Sequence, residues 1–258
     1  FSLDDSESKR EYNRRLFAVV ATRYDVITRL LSFRQDRRWK QRLLDMLRDR
    51  PVTRALDLAC GTGDLTLALA RRYPKAVIIG VDIAPEMLRR ARRRARYIRG
   101  DRRRVIFRIG DMSDLPFEEK SFDLVSAGYA LRNAPDLAST LASIGRLLSP
   151  GGTLAFLDFS HSSRRGVSRV QLGVLRLWGR LWGTLLHGNP EVYGYIAESL
   201  RSFPSRRQLE ALLARFGFCR IRSRTFLLGL IVVLTARRGA TPGGGETGSP
   251  PRLARGSA

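Results

Sequence analysis

The sequence has little cysteine and little histidine, and this shortage excludes several kinds of protein. Only two cysteines, Cys60 and Cys219, occur in 258 residues, so a disulfide-stapled scaffold is excluded. Neither a C-x-x-C pair nor a tight cluster of cysteine and histidine is present, so we predict no bound metal. We therefore expect both cysteines to be reduced thiols in an intracellular protein.

Long hydrophobic runs are also missing. The longest strongly apolar run, 226–234, contains Gly229 and is much shorter than the roughly 20 residues that cross a bilayer. The chain opens with Phe-Ser-Leu-Asp-Asp, without an initiator methionine or an apolar leader, which is expected of a processed product or a fragment. We expect a cytoplasmic protein that is soluble or peripheral to the inner face of a membrane.

Acidic residues are few compared with basic ones. The chain has 24 aspartates and glutamates against 47 lysines and arginines, a net charge of +23, and only four of the basic residues are lysines. An arginine excess spread over the whole chain is expected from a composition bias or from attraction to an anionic membrane surface. We favour these explanations over a dedicated nucleic-acid site, although charge alone assigns no function.

The pattern of apolar runs predicts a parallel sheet covered by helices on both faces. Short apolar runs alternate with amphipathic stretches, which is typical of strand–helix–strand units. Strands are predicted at 55–59, 76–81, 105–109, 122–126 and 153–157, and helices at 64–72, 85–98, 137–148 and 205–216. Two closing apolar runs, 218–221 and 226–235, are predicted to form an antiparallel hairpin at the sheet edge, which makes seven strands.

The sequence divides into three regions. Residues 1–50 are predicted to form an N-terminal helical arm, with helical patterns around 12–24 and 38–47. Residues 51–238 form the main domain, which carries an insertion at about 161–203. Residues 239–258 are rich in Gly, Pro, Ser and Arg and are expected to be disordered.

The most informative stretch is a glycine turn after the first strand. Asp57 lies in the strand, the run Gly61-Thr62-Gly63 forms the turn, and a helix begins at Asp64. Thr66 occupies the place of the third glycine of a dinucleotide fingerprint, and no G-K-[ST] sequence for a P-loop is present. An acidic residue at each end of the turn disfavours a pyrophosphate and suits a ligand with an amino group.

Two further carboxylates follow the next strands in order. Asp82 ends the second strand, where it would accept hydrogen bonds from a ribose diol, and Asp111 after the third strand would accept from an adenine amino group. A glycine turn, a strand-end aspartate and a Gly-Asp pair at one sheet edge predict an S-adenosylmethionine pocket. The other cofactor-binding candidates are Ile83, Met112 and Gly128.

Several longer motifs extend this pattern along the chain. The general ones are Leu115-Pro116-Phe117, Ser121-Phe122-Asp123 and Leu148-Ser149-Pro150-Gly151-Gly152. The more specific ones are Tyr24-Asp25 with Trp39-Lys40, Tyr129-Ala130-Leu131-Arg132-Asn133, Leu157-Asp158-Phe159-Ser160, and Tyr193-Gly194-Tyr195-Ile196-Ala197-Glu198-Ser199 with Phe203-Pro204. With these motifs the chain resembles the class I methyltransferases, and within them the C-methyltransferases of menaquinone and ubiquinone biosynthesis.

This resemblance covers about 17–237 and implies a Rossmann-like α/β fold that binds S-adenosylmethionine. It further implies C-methylation of a prenylated quinol such as demethylmenaquinol. The sequence departs from the family at Gly128, where the family often has Ser, and at Ala130, where it usually has Gly. A cofactor contact from a serine hydroxyl at position 128 is therefore lost, and the identity of the quinone stays open.

The catalytic candidates are Arg132, Asn133, Asp158 and Tyr195. Arg132 has two open interpretations: it stabilises a developing phenolate or acts on a bound water, or it pairs with a carboxylate such as Asp158. Tyr195, like Tyr193, either binds quinol oxygens or packs a lid. We interpret His161 as a surface loop residue rather than a pocket residue.

The stretch 170–186 is the best candidate for contact with a membrane. Leu175, Trp178, Trp182 and Leu185 form an apolar stripe at helical spacing, with arginines nearby. The alternative is a lid helix whose tryptophans lie in the core, and the two interpretations are compatible.

Three other functions remain open. They are methylation of another lipophilic small molecule, RNA binding or RNA methylation that uses the positive charge, and a non-catalytic scaffold. Nucleic acid is disfavoured because no appended RNA-binding module is visible, and a scaffold is disfavoured because the glycine turn and Asp82 are intact. A homo-oligomer or a complex for quinone biosynthesis is a further expectation about partners.

Overall fold

The computed structural model describes residue 32 and residues 35–47, 51–162, 165–187, 199–200 and 203–239, with the backbone alone at positions 165, 186 and 187. The first helical pattern of the arm, Tyr24-Asp25, Tyr193, Tyr195 and most of the disordered-tail prediction lie outside the described residues.

The described strands form one seven-stranded sheet in the order β3-β2-β1-β4-β5-β7-β6. The first five strands are parallel, and β7 pairs antiparallel with both β5 and β6. The predicted α/β class and edge hairpin are therefore confirmed. The strands are β1 (Arg54–Leu58), β2 (Val77–Asp82), β3 (Val105–Ile109), β4 (Phe122–Gly128), β5 (Leu148–Phe159), β6 (Phe218–Phe226) and β7 (Ile231–Arg238).

The described helices cover both faces of the sheet. They are α1 (Asp36–Asp45), α2 (Asp64–Arg72), α3 (Pro85–Ala95), α4 (Leu137–Leu147), α5 (Arg165–His187) and α6 (Arg206–Arg215). Three of these helices have a defined start: Pro85 opens α3, the Asp136 side chain accepts backbone hydrogen bonds at the start of α4, and Ser205 and Gln208 form a capping box at the start of α6.

Alternation along the strands divides the core into two layers. On one face, Leu56 and Leu58 of β1 pack in the cluster formed by α4 and α6. On the other face, Ala55 of the same strand packs in the cluster formed by α1, α2 and α3. Helix α1 contributes Trp39 and Leu43 to this second cluster and packs on β5 and β7. The helix from the predicted arm is therefore built into the core of the main domain.

The structure differs from the sequence reading at the closing hairpin. The run 226–235 was predicted as one strand, but β6 extends to Phe226 and β7 begins only at Ile231. Leu227, Leu228 and Gly229 between them have positive φ values of 51°, 57° and 97°. Hydrophobicity predicts a buried strand at this point, yet Leu228 is 83% exposed in the turn. The prediction of a single strand over 226–235 is therefore wrong.

Candidate active site

The glycine turn connects β1 to α2 at the carboxyl edge of the sheet. Gly61 and Gly63 have φ values of 56° and 81°, a left-handed conformation that glycine adopts without strain. A Cβ atom on Gly63 would lie 3.1 Å from the Cβ of Ala91 and 3.3 Å from the Phe107 ring. The turn therefore packs closely against α3 and β3.

A cavity of about 430 Å³ lies beside this turn. This volume is within the range of ordinary ligand pockets, about 300–1,000 Å³. Its wall includes residues of the turn and the end of β4, and also one face of α1 and a side chain of α3. Its lining residues include Arg37, Lys40, Asp57, Gly61, Thr62, Asp64, Arg94, Gly128 and Tyr129.

Asp57 is buried at the base of the cavity. One carboxylate oxygen accepts a hydrogen bond of 2.6 Å from the Ser126 hydroxyl, and the other accepts one of 2.6 Å from the Thr66 hydroxyl. Burial raises the pKa of Asp57 to about 6. The two hydrogen bonds lower this pKa, whereas repulsion from Asp82 raises it further. The cavity therefore contains a costly negative charge that a positively charged group would stabilise.

The Asp57 pKa predicts an unusual pH dependence for the ligand-free protein. Because the folded pKa is raised, the carboxylate contributes most to stability when protonated, and this contribution is lost as pH rises from about 4 through about 6. A shift of about two units corresponds to about 3 kcal/mol. We expect Asp57→Asn to raise the free energy of unfolding by up to about 3 kcal/mol at pH 7.5 and by much less at pH 4.5, measured by urea unfolding.

A matched control for this prediction is Asp114→Asn, since Asp114 is exposed. Its effect on stability should be small at both pH values. An Asp57→Asn variant whose stability difference from wild type is equal at pH 4.5 and pH 7.5 would contradict the raised pKa.

Asp82 holds the outer side of the glycine turn. Its carboxylate accepts a hydrogen bond of 2.7 Å from the Gly61 amide and one of 2.9 Å from the Ala84 amide. Burial raises the pKa of Asp82, while these amide hydrogen bonds act in the opposite direction. Each oxygen keeps further acceptor capacity, because a carboxylate oxygen has two lone pairs.

Asp111 lies next along the sheet edge. The Gly110 amide donates to the Asp82 backbone carbonyl over 3.1 Å, which brings the two strand ends together. The Asp111 side chain accepts from the Ser113 amide in a local turn. Met112 packs at the rim of the core, and Ile83 follows Asp82 directly. Asp82, Ile83, Asp111 and Met112 are outside the lining of the 430 Å³ cavity.

An ion-pair cluster clamps the start of α2. The Asp64 carboxylate forms an ion pair with the Lys40 ammonium of α1, with an N–O distance of 2.8 Å, and a second ion pair with Arg94 of α3. Although burial acts to raise it, these two cations hold the pKa of Asp64 low, at about 2. Arg94 also donates to the Thr62 hydroxyl and carbonyl over 2.9 and 3.1 Å. Asp64 is thus neutralised within the protein, which leaves Asp57 as the acidic end of the turn.

The Arg-Asn motif lies where β4 ends. Arg132 and Asp158 form a buried ion pair with an N–O distance of 2.7 Å. This agrees with the second interpretation of Arg132, pairing with a carboxylate. The Arg132 guanidinium and the Asn133 amide also donate to the Tyr129 carbonyl over 3.1 and 3.3 Å. Any chemical role of these residues stays a prediction.

These contacts hold a strained residue in the cavity wall. Tyr129 has a φ of 58°, a conformation that is costly for a bulky residue, and its amide donates to the Leu157 carbonyl over 2.6 Å. Next to it, a Cβ on Gly128 would lie 3.7 Å from Leu65, so a serine would fit at that position. The departure from the family pattern at Gly128 therefore leaves open space beside the cavity.

His161 makes contacts with backbone carbonyls. The ring nitrogens of His161 lie 3.2 and 3.0 Å from the carbonyls of Ser162 and Phe203, so the imidazole links the end of β5 to the segment before α6. Among the described residues, no group of three or more His, Cys, Asp or Glu side chains is arranged to hold a metal ion.

Sequence reasoning missed the clamp on the glycine turn. Arg93 on α3 and Arg96 just after it are exposed, but Arg94 reaches Thr62. Lys40 was part of a recognised motif, yet its partner Asp64 is 24 residues away. No local spacing signals either contact, because each depends on how the helices pack across the sheet.

Comparison with protein families gives a match over nearly the whole chain. The sequence profile of the ubiE/COQ5 methyltransferase family matches residues 5–238. The demethylmenaquinone methyltransferase of Thermus thermophilus is 39% identical over 203 residues, which are 79% of this chain and 91% of that protein. The demethylmenaquinone methyltransferase of Staphylococcus aureus is 30% identical over 227 residues, which are 88% of this chain and 92% of that protein.

Comparison with solved structures agrees on the fold. A crystal structure described as an S-adenosylmethionine-dependent methyltransferase, possibly a histamine N-methyltransferase, from Thermotoga maritima matches with a TM-score of 0.59 and 19% identity. The match covers 87% of this chain and 99% of that one. The predicted class I methyltransferase fold is therefore confirmed.

Proposed function

The chain belongs to the ubiE/COQ5 methyltransferase family, and on this premise we propose that it transfers a methyl group from S-adenosylmethionine to a ring carbon of a prenylated quinol. The quinol is demethylmenaquinol or a related intermediate of menaquinone or ubiquinone-type biosynthesis. The observation that carries the proposal is the cavity beside the glycine turn, which is lined by buried Asp57 and by Tyr129, the first residue of the Arg-Asn motif.

The residues of the site fit the proposed cofactor. The amino group of its methionine part would offset the charge of Asp57, whose pKa burial raises to about 6. The glycine turn would let the backbone approach the cofactor closely, the carboxylate of Asp82 would hold the ribose, and Asp111 with Met112 would hold the adenine. When bound, S-adenosylmethionine supplies an electrophilic methyl group on a sulfonium.

The chemistry of the acceptor explains why the site needs few reactive side chains. A quinol is electron-rich and attacks through carbon, whereas the oxidised quinone ring is electron-poor, so the reduced form is the substrate. Methyl transfer then depends mainly on holding the nucleophilic carbon in line with the methyl group in a dry pocket. Arg132 is held by Asp158 and is always protonated, so we assign it to positioning and charge stabilisation, not to proton removal.

Contact with a membrane is the second part of the proposal. Helix α5 carries an exposed apolar stripe at helical spacing, formed by Val170, Val174, Leu177, Leu181 and Leu185. Arg169, Arg176 and Arg180 are exposed along one side of this stripe. Within the described residues, no helix is long and apolar enough to cross a bilayer. We assign the outer face of α5 to the surface of the membrane that contains the prenylated quinol.

The stripe differs from the one expected from the sequence. Trp178 and Trp182 are half-buried and contact each other with their ring centres 5.7 Å apart, whereas Leu185 of the expected stripe is exposed. The expected stripe of Leu175, Trp178, Trp182 and Leu185 is therefore wrong as an outward face. Because both tryptophans are only partly buried, the alternative of a lid helix with its tryptophans in the core stays a prediction.

A label-transfer assay tests the proposed activity. The protein is incubated with methyl-labelled S-adenosylmethionine and, in parallel, with a reduced demethylmenaquinol, a reduced benzoquinol precursor, a simple lipophilic phenol and RNA. We expect label in a quinol and none in RNA, and no label when the quinone is kept oxidised. Label in the phenol alone would favour another lipophilic substrate, and label in RNA alone would overturn the proposal.

A further inference from the structure

A cleft rich in arginine lies between the helix α1 and the edge strand β6. Arg38 and Arg42 are four residues apart on α1, and Arg222 and Arg224 are two apart on β6, so each pair points to one side of its element. The cleft contains two adjoining cavities of about 420 and 430 Å³, and Arg42 and Arg224 line both. We call these four residues the arginine cleft.

The arginine cleft has an excess of positive charge. Within the described part of the chain, Arg42, Arg222 and Arg224 make no ion pair, and Arg38 donates only to the neutral side chain of Gln35. Asp45 is the only carboxylate among the described lining residues. Guanidinium groups gathered with so little counter-charge repel one another and favour a bound anion, for which arginine offers forked hydrogen bonds.

An apolar turn adjoins the arginine cleft. Phe226 lines one of the cavities, and the next residues, Leu227 and Leu228, are 49% and 83% exposed in the β6–β7 turn. The Gln171 side chain of α5 donates to both leucine carbonyls over 3.2 Å. The turn is therefore fixed to α5, the helix whose outer face carries the exposed apolar stripe.

We propose that the arginine cleft binds the phosphate headgroup of an anionic phospholipid while Leu227 and Leu228 enter the bilayer interface beside it. This inference rests on the membrane contact in the proposed function and gives it a second anchor on another element. In a membrane, anionic headgroups lie above an apolar layer. Arginines without counter-charge suit the headgroups, and exposed leucines beside them suit the apolar layer. RNA fits less well, because Phe226, the aromatic side chain among the described lining residues, packs on Trp39 and is not free to stack on a base.

The position of α1 connects this anchor with the active site. Arg38 and Arg42 on one side of the helix line the arginine cleft, while Arg37 and Lys40 on another side line the cavity beside the glycine turn. A headgroup in the cleft therefore lies one helix away from that cavity. This arrangement would place the active site at the membrane surface, where a prenylated quinol is found.

A vesicle-binding experiment tests the arginine cleft directly. The full chain and its Arg222→Ser/Arg224→Ser variant are sedimented with vesicles of phosphatidylcholine alone or with 30 mol% phosphatidylglycerol, roughly the anionic content that gives a strong surface potential. We expect the variant to bind anionic vesicles about 30-fold more weakly, the factor for two arginines at about 1 kcal/mol each. Leu228→Asn should weaken vesicle binding about 10-fold, since asparagine tolerates the left-handed backbone but removes an apolar side chain.

The control variant is Arg93→Ser/Arg96→Ser, which removes the same charge from exposed positions on and just after α3. If this control and the cleft variant lose binding to anionic vesicles equally, the attraction is a general effect of charge and the proposal is overturned. The cleft would also not be a lipid site if its variant lost binding to an RNA oligonucleotide or to inorganic phosphate but kept full binding to anionic vesicles.

The methyl-transfer assay separates this inference from the proposed function. The cleft variant should keep the wild-type rate on a short-chain, water-soluble quinol, because Arg222 and Arg224 lie outside the cavity beside the glycine turn. If the wild-type protein binds anionic vesicles through the cleft but methylates no quinol, the proposed activity is refuted and the lipid-binding cleft is not. Full methylation with unchanged vesicle binding in the cleft variant would refute the cleft alone.

Discussion

Replacement of Asp82 by alanine is expected to weaken the binding of S-adenosylmethionine at least about 100-fold. The carboxylate would accept two hydrogen bonds from the ribose diol, and hydrogen bonds to a charged group contribute about 1.5–3 kcal/mol each. The same change removes the acceptor of the Gly61 amide, which lies 2.7 Å from Asp82, so the glycine turn also loses its outer support. Isothermal calorimetry with the purified protein measures the affinity.

Two further variants separate charge from contact in this prediction. Glu118→Ala removes an exposed negative charge away from the turn and should leave the affinity unchanged within about twofold. Asp82→Asn keeps one acceptor oxygen and should lie between wild type and Asp82→Ala. An unchanged affinity in Asp82→Ala, with the protein folded, would remove Asp82 from the ribose role.

The part of the site that follows from chain order was predictable from the sequence. The glycine turn, Asp82 and Asp111 each lie at or just after the carboxyl end of a strand, and parallel strands bring these ends to one edge. Apolar alternation in β1 likewise predicts two buried layers, with Leu56 and Leu58 on one face. Local sequence determines these features, so they could be inferred before any tertiary contact was known.

The parts that depend on packing between distant elements were not predictable. Lys40 and Asp64 meet because α1 lies over the sheet beside α2, and no periodicity encodes that meeting. The outward face of α5 was assigned to the tryptophans because they suit a membrane interface, yet Val174 and Leu177 are the exposed residues. Both faces of α5 are apolar, so hydrophobic spacing alone cannot decide which one faces the core.

The Arg132–Asp158 pair is expected to have the largest effect on stability. Asp158 is fully buried, so Asp158→Asn leaves the Arg132 guanidinium buried without its counter-charge. Removing one partner of a buried ion pair costs about 3–5 kcal/mol. For a domain of this size we expect the melting temperature to fall by roughly 6–20 °C, measured by differential scanning calorimetry.

A double variant separates the stabilising role of the pair from its role in the site. Arg132→Met with Asp158→Leu removes both buried charges and should recover most of the lost stability, since an apolar pair of similar volume is often as stable. Methyl transfer should stay low in the double variant, because the strained Tyr129 turn then lacks the Arg132 hydrogen bond to its carbonyl. The exposed pair Glu86–Arg89 is the matched control, and Glu86→Gln should change stability by less than about 0.5 kcal/mol. If the double variant regains full activity as well as stability, Arg132 has no positioning role and the Arg-Asn motif acts only in folding.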